Sequence, residues 1–189
     1  MRKNFGAKPY LYPQPVFMIA TYNEDNSLNL MAAAWGGVAE EDEIFMCLSA
    51  EHKTIENIRR TGAFTVSMAD ADHVAACDYV GLVSGNDVPE KAERAGFHGA
   101  RSEFVNAPVV EELKMSLECE LISFEEDSCR LFGKVINVSA DESVLNEKGK
   151  IDPAKLRPIT FDPCGMGYYV LGARVGNAFK DGGVLLKKE

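Results

Sequence analysis

The alternation of residues 113–121 with a period of two is the feature that most constrains the fold of this chain. Leucine, methionine and cysteine occupy the odd positions, and lysine, serine and glutamate occupy the even ones. Successive side chains of a strand point to opposite faces, so this pattern predicts a half-exposed β-strand. Six further segments have a strand-like composition; they are residues 16–22, 27–35, 43–49, 63–68, 130–138 and 167–174. We therefore expect about seven strands.

Turn residues and short helices separate these strands. The cluster Asn-Glu-Asp-Asn at residues 23–26 favours a hairpin between the first two strands. The continuous apolar run at residues 44–48 predicts a strand that is buried on both faces. Four short helices are predicted, the first ending at Gly62 and the second capped by Asp72; they cover residues 54–60, 72–79, 91–95 and 154–156. This pattern favours a mainly β fold, a small antiparallel barrel that is closed or partly closed.

Composition and charge exclude several classes of function. The 189 residues contain 20 Lys and Arg against 29 Asp and Glu, which gives a net charge of −9, and the basic residues are scattered. A negative field repels polyanions, so we expect no nucleic-acid partner. No apolar run approaches the roughly 18 residues that span a bilayer, and no linker divides the chain. We therefore expect a single domain over residues 1–189, located in the cytoplasm and not in a membrane.

Cysteine usage and the absence of common motifs narrow the chemistry further. The five cysteines are widely spaced and the three histidines do not flank them, which predicts a reducing compartment and no metal site. The chain has no GxxxxGK[ST] loop, no HExxH motif and no GxSxG motif. We accordingly predict no catalytic side chain. His73 and His98 have no motif around them and are interpreted as structural.

Residues 29–35, Asn-Leu-Met-Ala-Ala-Ala-Trp, form the first candidate binding segment. Alanine is a poor strand former, but three in succession let a planar ligand approach the backbone of the strand. Trp35, the only tryptophan, would add an aromatic wall. The alternative is a close crossing of strands in the barrel, where small residues are needed for packing.

Residues 49–54, Ser-Ala-Glu-His-Lys-Thr, form the second candidate segment, between a buried strand and a helix. A helix N-terminus carries unpaired N–H groups and a partial positive charge, so it binds phosphate. His52 and Lys53 would add positive charge there, and Ser49 and Thr54 would add hydroxyl groups. Cations at a helix start oppose the usual dipole preference, which a bound phosphate would explain. The alternative is that Ser49 or Thr54 only caps the helix and that Lys53 is solvated.

A series of short motifs runs along nearly the whole chain. They lie at residues 15–16, 21–22, 29–35, 48–49, 52–54, 57–58, 62–64, 78–81, 84–85, 91, 95–96, 107–109, 117–119, 167–169 and 171–172. In this order they resemble the flavin reductase-like family, most closely its flavoredoxin branch of FMN-binding split barrels. The resemblance implies a six-stranded Greek-key split barrel that forms a homodimer, with FMN near the subunit interface.

Carried over position by position, the resemblance also implies a set of FMN-binding residues. Those expected at the isoalloxazine ring are Asn29, Met31, Ala32, Ala33, Ala34 and Trp35. Those expected at the ribityl chain and the phosphate are Ser49, His52, Lys53, Thr54 and Lys91. Which of His52 and Lys53 neutralises the phosphate stays open, and residues 83–99 are a candidate gate over the flavin.

The function that the resemblance implies is that of an oxidoreductase. FMN accepts a hydride from NADH or NADPH and passes electrons to an acceptor, while the protein binds and orients the ring. The alternative is an electron carrier that exchanges electrons with a redox protein partner and does not oxidise NADH or NADPH directly. A third hypothesis is a barrel that only binds another planar anion, such as pyridoxal phosphate or haem; it is suggested by Ala32, where the family usually has threonine.

Overall fold

The computed structural model describes residues 1–186 of the chain, which form a mainly β structure. The strands are β1 (Gln14–Pro15), β2 (Phe17–Tyr22), β3 (Leu28–Ala33), β4 (Gly36–Glu40), β5 (Glu43–Cys47), β6 (Ala63–Met68), β7 (Gly99–Arg101), β8 (Pro108–Val110), β9 (Met115–Glu125), β10 (Arg130–Ala140), β11 (Ile159–Asp162) and β12 (Gly167–Val170). The helices are α1 (Lys53–Thr61), α2 (Val74–Leu82), α3 (Lys91–Arg94) and α4 (Pro153–Leu156). Two short 3₁₀ helices cover Glu142–Val144 and Asp181–Leu185. Within the described residues no helix is long and apolar enough to cross a membrane.

Seven strands form one antiparallel sheet, in the order β3–β2–β6–β9–β10–β5–β4. The strands at its two edges are consecutive in the chain, since β3 ends at Ala33 and β4 begins at Gly36. Between them, the backbone carbonyl of Trp35 accepts a hydrogen bond from the amide of Cys47 on β5, at 2.8 Å. One continuous segment thus pairs with both ends of the sheet, and the sheet curls into the barrel-type architecture that the sequence predicts.

Alternate side chains of β2 face two different apolar clusters. Phe17 and Ile19 point into the barrel, and Met18 and Ala20 point outward. The inner cluster also contains Ile44, Met46, Leu48, Ile55, Ile58, Phe64, Val66, Cys119 and Leu131, so that α1 closes it through two isoleucines. The outer cluster packs α2 and α3 against β2 and β3; its further members are Val16, Leu30, Ala69, Cys77, Val80, Ala92, Phe97, Val110, Leu113 and Ile159.

The predicted exposure of two strands is wrong. On β9 the polar side chains of Ser116 and Glu118 are buried, although the alternation predicts an exposed face there. The reason is the β7–β8 hairpin, which covers this face: Ser102 donates a hydrogen bond to one oxygen of Glu118, and Asn137 of β10 donates to the other at 2.7 Å. On β5 only alternate residues, Ile44 and Met46, are fully buried, so this strand is not buried on both faces.

Three element boundaries also differ from the prediction. Residues 27–35 do not form one strand, because the chain leaves β3 after Ala33 and starts β4 at Gly36. The last strand ends at Val170 and lies outside the main sheet, in a three-stranded sheet with the order β1–β11–β12. Helix α2 begins at Val74, and the carboxylate of Asp70, not Asp72, accepts the amides before its first turn. The glycine at the end of α1 is confirmed: Gly62 has a φ of 71°.

Candidate functional site

The start of α1 presents unpaired backbone donors. The helix begins at Lys53 after His52, which has extended dihedral angles and makes no side-chain cap. Neither the amide of Lys53 nor that of Thr54 donates a hydrogen bond within the described part of the chain. The hydroxyl of Ser49 donates to the Glu51 carboxylate, so neither Ser49 nor Thr54 caps this helix. The first turn therefore has free N–H groups and the positive end of the helix dipole.

A buried hydrogen-bond network fixes the hydroxyl of Thr54. The amide nitrogen of Asn29, itself 1% exposed, donates to Thr54 Oγ1 at 2.9 Å and to Thr21 Oγ1 at 3.0 Å. Since Thr54 Oγ1 accepts this bond, its own proton is free to be donated elsewhere. Asn29 thus fixes the orientation of the Thr54 hydroxyl.

Lys91 places a buried positive charge beside this helix start. The side chain is 3% exposed, and its Nζ donates to the carbonyl oxygens of Val80 at 2.7 Å and Val83 at 2.8 Å. Within residues 1–186 it forms no ion pair with a carboxylate. Burial lowers the pKa of Lys91 to about 8. Burial, and then the charge of Lys91, also lower the pKa of His52 below its usual value.

These groups surround one cavity of about 230 Å³, which we name the polar cavity. Six of the predicted site residues line it: Met31, Ala32, His52, Lys53, Thr54 and Lys91. Its other wall is the end of α2 and the turn that follows, residues 80–85. Free amides, one hydroxyl proton and a desolvated cation without a carboxylate partner form a donor set that suits a phosphate group.

A second cavity of about 250 Å³ adjoins the first, and we name it the apolar cavity. The two cavities share Ala32, Gly81 and Leu82. The remaining residues that line the apolar cavity are Val16, Ala33, Ala34, Asp78, Phe161 and Tyr168. A Cβ atom at Gly81 would lie 3.1 Å from that of Ala32, so α2 packs closely on β3 at this point. Small residues here serve packing and also leave room for a ligand.

Three predicted site residues line neither cavity. Asn29 lies behind Thr54, Ser49 is bonded to Glu51, and Trp35 is 56% exposed on the connection between the two edge strands. Conversely, the site contains Asp78, residues 80–82 and Tyr168, for which no individual role is predicted from the sequence, and residues 83–85, which belong to the segment predicted as a candidate gate. The two glycines near the end of α2, Gly81 and Gly85, are the signal that could have identified this wall.

Local contacts and burial account for His73, His98 and Cys77. A ring nitrogen of His73 lies 2.8 Å from the Asp70 carboxylate, and one of His98 lies 2.7 Å from Glu112. Burial raises the pKa of the Cys77 thiol to about 12, which leaves it unreactive. Across residues 1–186 no group of three or more histidine, cysteine or acidic residues could hold a metal ion.

Comparisons with known proteins show which proteins this chain is similar to. Residues 10–161 match the family model described as "Flavin reductase like domain". The chain is 35% identical to flavoredoxin of Desulfovibrio vulgaris (Miyazaki F), with a TM-score of 0.91 over 96% of this chain and 100% of that one. It is 26% identical to flavoredoxin from Methanosarcina acetivorans, with a TM-score of 0.87 over 98% and 99% of the two chains. It is also 26% identical to an uncharacterized protein of Aquifex aeolicus over 84% of each chain.

Proposed function

Because this chain belongs to the flavin reductase-like family and has its split-barrel fold, we propose that it is an FMN-binding oxidoreductase. In this proposal, electrons pass from NADH or NADPH through FMN to an acceptor. The observation that carries the proposal is Lys91, a desolvated cation that lines the polar cavity and has no carboxylate partner among residues 1–186. A buried charge of this kind is costly unless an opposite charge pairs with it, and a phosphate supplies that charge.

The polar cavity is the proposed site of the FMN phosphate. Lys91 would neutralise it, and the amides of Lys53 and Thr54 and the Thr54 hydroxyl would donate hydrogen bonds to it. His52 and Ser49 would serve the ribityl chain and the phosphate. Lys53 Nζ already donates to Glu56 at 2.6 Å, so Lys91 carries the less compensated positive charge.

The apolar cavity is the proposed site of the flavin ring, because it continues from the polar cavity across Ala32. Its floor consists of Ala32, Ala33 and Ala34, with Met31 on the polar side. When bound, FMN would supply the hydride and electron chemistry. The residues of this chain would bind the ring, orient it and exclude water from it, and no side-chain acid or base is required.

A second candidate function is that of an electron carrier. Similarity to two flavoredoxins over almost the whole chain favours it, and the net charge of −9 would suit a basic redox protein partner. Such a carrier would keep FMN bound and would not oxidise NADH or NADPH directly.

We further propose a cytoplasmic homodimer of single-domain subunits. Large apolar side chains are exposed at both ends of the described chain, which supports burial against a second copy. Examples are Leu11 at 68%, Tyr169 at 61% and Phe179 at 108% exposure. Trp35 would then border the ring from a position near the subunit interface, whereas the buried Asn29 would act through the Thr54 hydroxyl that it orients. Analytical ultracentrifugation tests the dimer, and a monomeric mass would contradict it.

The function is tested by adding FMN to purified protein and then NADH or NADPH without oxygen. Loss of flavin absorbance with either nucleotide supports the reductase. Loss with dithionite alone supports the carrier. A protein that takes up no FMN contradicts both. The double variant Lys53→Ala/Thr54→Ala should lose FMN affinity, whereas Lys134→Ala, which removes a surface cation paired with Asp42, should not.

A further inference from the structure

Two polar side chains face the apolar cavity where α2 meets β12. Asp78 lies on α2, and the hydroxyl of Tyr168 on β12 donates a hydrogen bond to Asp78 Oδ1 at 2.7 Å. All other residues that line this cavity are apolar or small. Asp78 and Tyr168 are therefore the polar side chains closest to any ligand in this cavity.

Neighbouring strands hold the tyrosine in place. In the pairing of β11 with β12, Tyr168 lies opposite Phe161, and their ring centroids are 6.0 Å apart. Burial and the bond to Asp78 raise the pKa of Tyr168 to about 12. The phenol consequently keeps its proton across the physiological range, and its donated bond to the carboxylate persists.

Asp78 has no cationic partner among residues 1–186. The positive groups of the site, Lys91, Lys53 and His52, all line the polar cavity. The two cavities thus differ in charge, with cations around one and a single carboxylate at the wall of the other. A flavin ring in the apolar cavity would lie near this carboxylate, while the phosphate of the same FMN would pair with the cations of the polar cavity.

We propose that Asp78, held by Tyr168, lowers the reduction potential of the flavin ring in the apolar cavity. The inference rests on the proposed function, since it requires FMN at this site. A transferred hydride brings two electrons and one proton, so the reduced ring carries one more negative charge. A nearby carboxylate raises the free energy of that form and makes the reduced ring a stronger electron donor. The bond from Tyr168 disperses part of the carboxylate charge and moderates the effect.

Two substitutions should shift the potential in opposite directions. Asp78→Asn removes the charge with little change of shape, so the potential of the FMN-loaded protein should rise. Tyr168→Phe removes the donor and leaves the carboxylate bare, so the potential should fall. We expect a shift of about tenfold in the reduction equilibrium for Asp78→Asn, which corresponds to about 30 mV for a two-electron couple. Equilibrium reduction against a reference dye measures it, and general loosening of the fold does not produce opposite signs.

Asp72→Asn is the matched control. Asp72 precedes α2, carries the same charge, pairs with Arg157 on the surface and lines neither cavity, so its substitution should leave the potential unchanged. FMN affinity is measured on the same samples. If the parent protein takes up no FMN, the proposed function fails and this inference fails with it. If FMN binds but Asp78→Asn leaves the potential unchanged, or both variants shift it in the same direction, this inference is overturned while the proposed function stands.

Discussion

The pH dependence of FMN affinity tests the role of Lys91 directly. In the free protein the pKa of Lys91 is about 8, and a bound phosphate would hold the ammonium in its charged form. Binding then requires a protonated Lys91, and above pH 8 the free protein must take up a proton to bind FMN. Affinity should therefore be level below pH 8 and fall above it, because fewer molecules carry the charge.

The size of the effect follows from the pKa. One pH unit above the pKa, about one molecule in eleven is still protonated, so the dissociation constant at pH 9 should be about tenfold that at pH 7, or about 1.4 kcal/mol. Two other groups at the site do not interfere. The lowered pKa of His52 leaves it neutral throughout this interval, and Tyr168, with a pKa of about 12, stays protonated. The phosphate is also fully ionised, since its second pKa is about 6.

Fluorescence titration of FMN at several pH values measures this dependence. Two variants of Lys91 test whether this residue causes it. Lys91→Met should bind FMN weakly at every pH and lose the dependence, whereas Lys91→Arg stays charged and should show none up to pH 9. A constant affinity between pH 7 and pH 9 in the parent protein would refute the reasoning. So would an unchanged pH dependence in Lys91→Met.

The same pKa predicts how Lys91 affects the stability of the FMN-free protein. The pKa lies below its usual 10.5, so the folded state releases its proton first, and stability should rise with pH between about 8 and 10.5. At pH 7 the buried charge opposes folding by at most about 3 kcal/mol. Lys91→Met removes this cost but also removes the donor to the carbonyl oxygens of Val80 and Val83, so the two effects oppose each other and the thermal midpoint of the FMN-free protein at pH 7 should change little. Lost affinity together with a retained midpoint separates a binding defect from misfolding.

Three further predictions concern single groups. Thr54→Val removes the hydroxyl proton proposed for the phosphate and should weaken FMN binding by about 1 to 2 kcal/mol, as measured by titration. Gly133→Ala would place a Cβ atom 2.3 Å from Phe64 inside the barrel, so the free energy of unfolding in denaturant should fall by about 1 to 3 kcal/mol. The hydrogen bond with Glu112, and then its charge, raise the pKa of His98 above 6.5; an NMR titration should give a midpoint above 6.5 that falls in Glu112→Gln.

The strands could be predicted from the sequence because their signal is local. An apolar period of two identifies β9, and short apolar runs identify β2 and β6, whatever the remainder of the chain does. The exposure of β9 could not be predicted in the same way. Glu118 is buried because Ser102 and Asn137, 16 and 19 residues away, bond to its two oxygens. Contacts at that separation leave no periodic signal in the sequence.

The candidate site likewise has one part that could be predicted from the local sequence and another that could not. The helix start at residues 49–54 is a local feature, and its free donors follow from the sequence of one turn. The opposite wall exists only because α2 packs on β3 through Gly81 and Ala32, and the sequence carries no measure of that approach. Lys91 was identified through the family resemblance alone. Its burial, and its lack of a carboxylate partner in the described part of the chain, are the reasons to place a phosphate beside it, and both are properties of the folded chain.

Lys91 also connects the folding of this region with the proposed cofactor. Its Nζ donates to the carbonyl oxygens of Val80 and Val83, at the end of α2 and in the turn that lines the polar cavity. In the absence of a phosphate, the ammonium therefore fixes the wall of the site through these two hydrogen bonds. Burial of this charge opposes folding when FMN is absent, and pairing with a phosphate removes that cost. A ligand that binds only the folded state stabilises it, so FMN should raise the thermal midpoint of the protein.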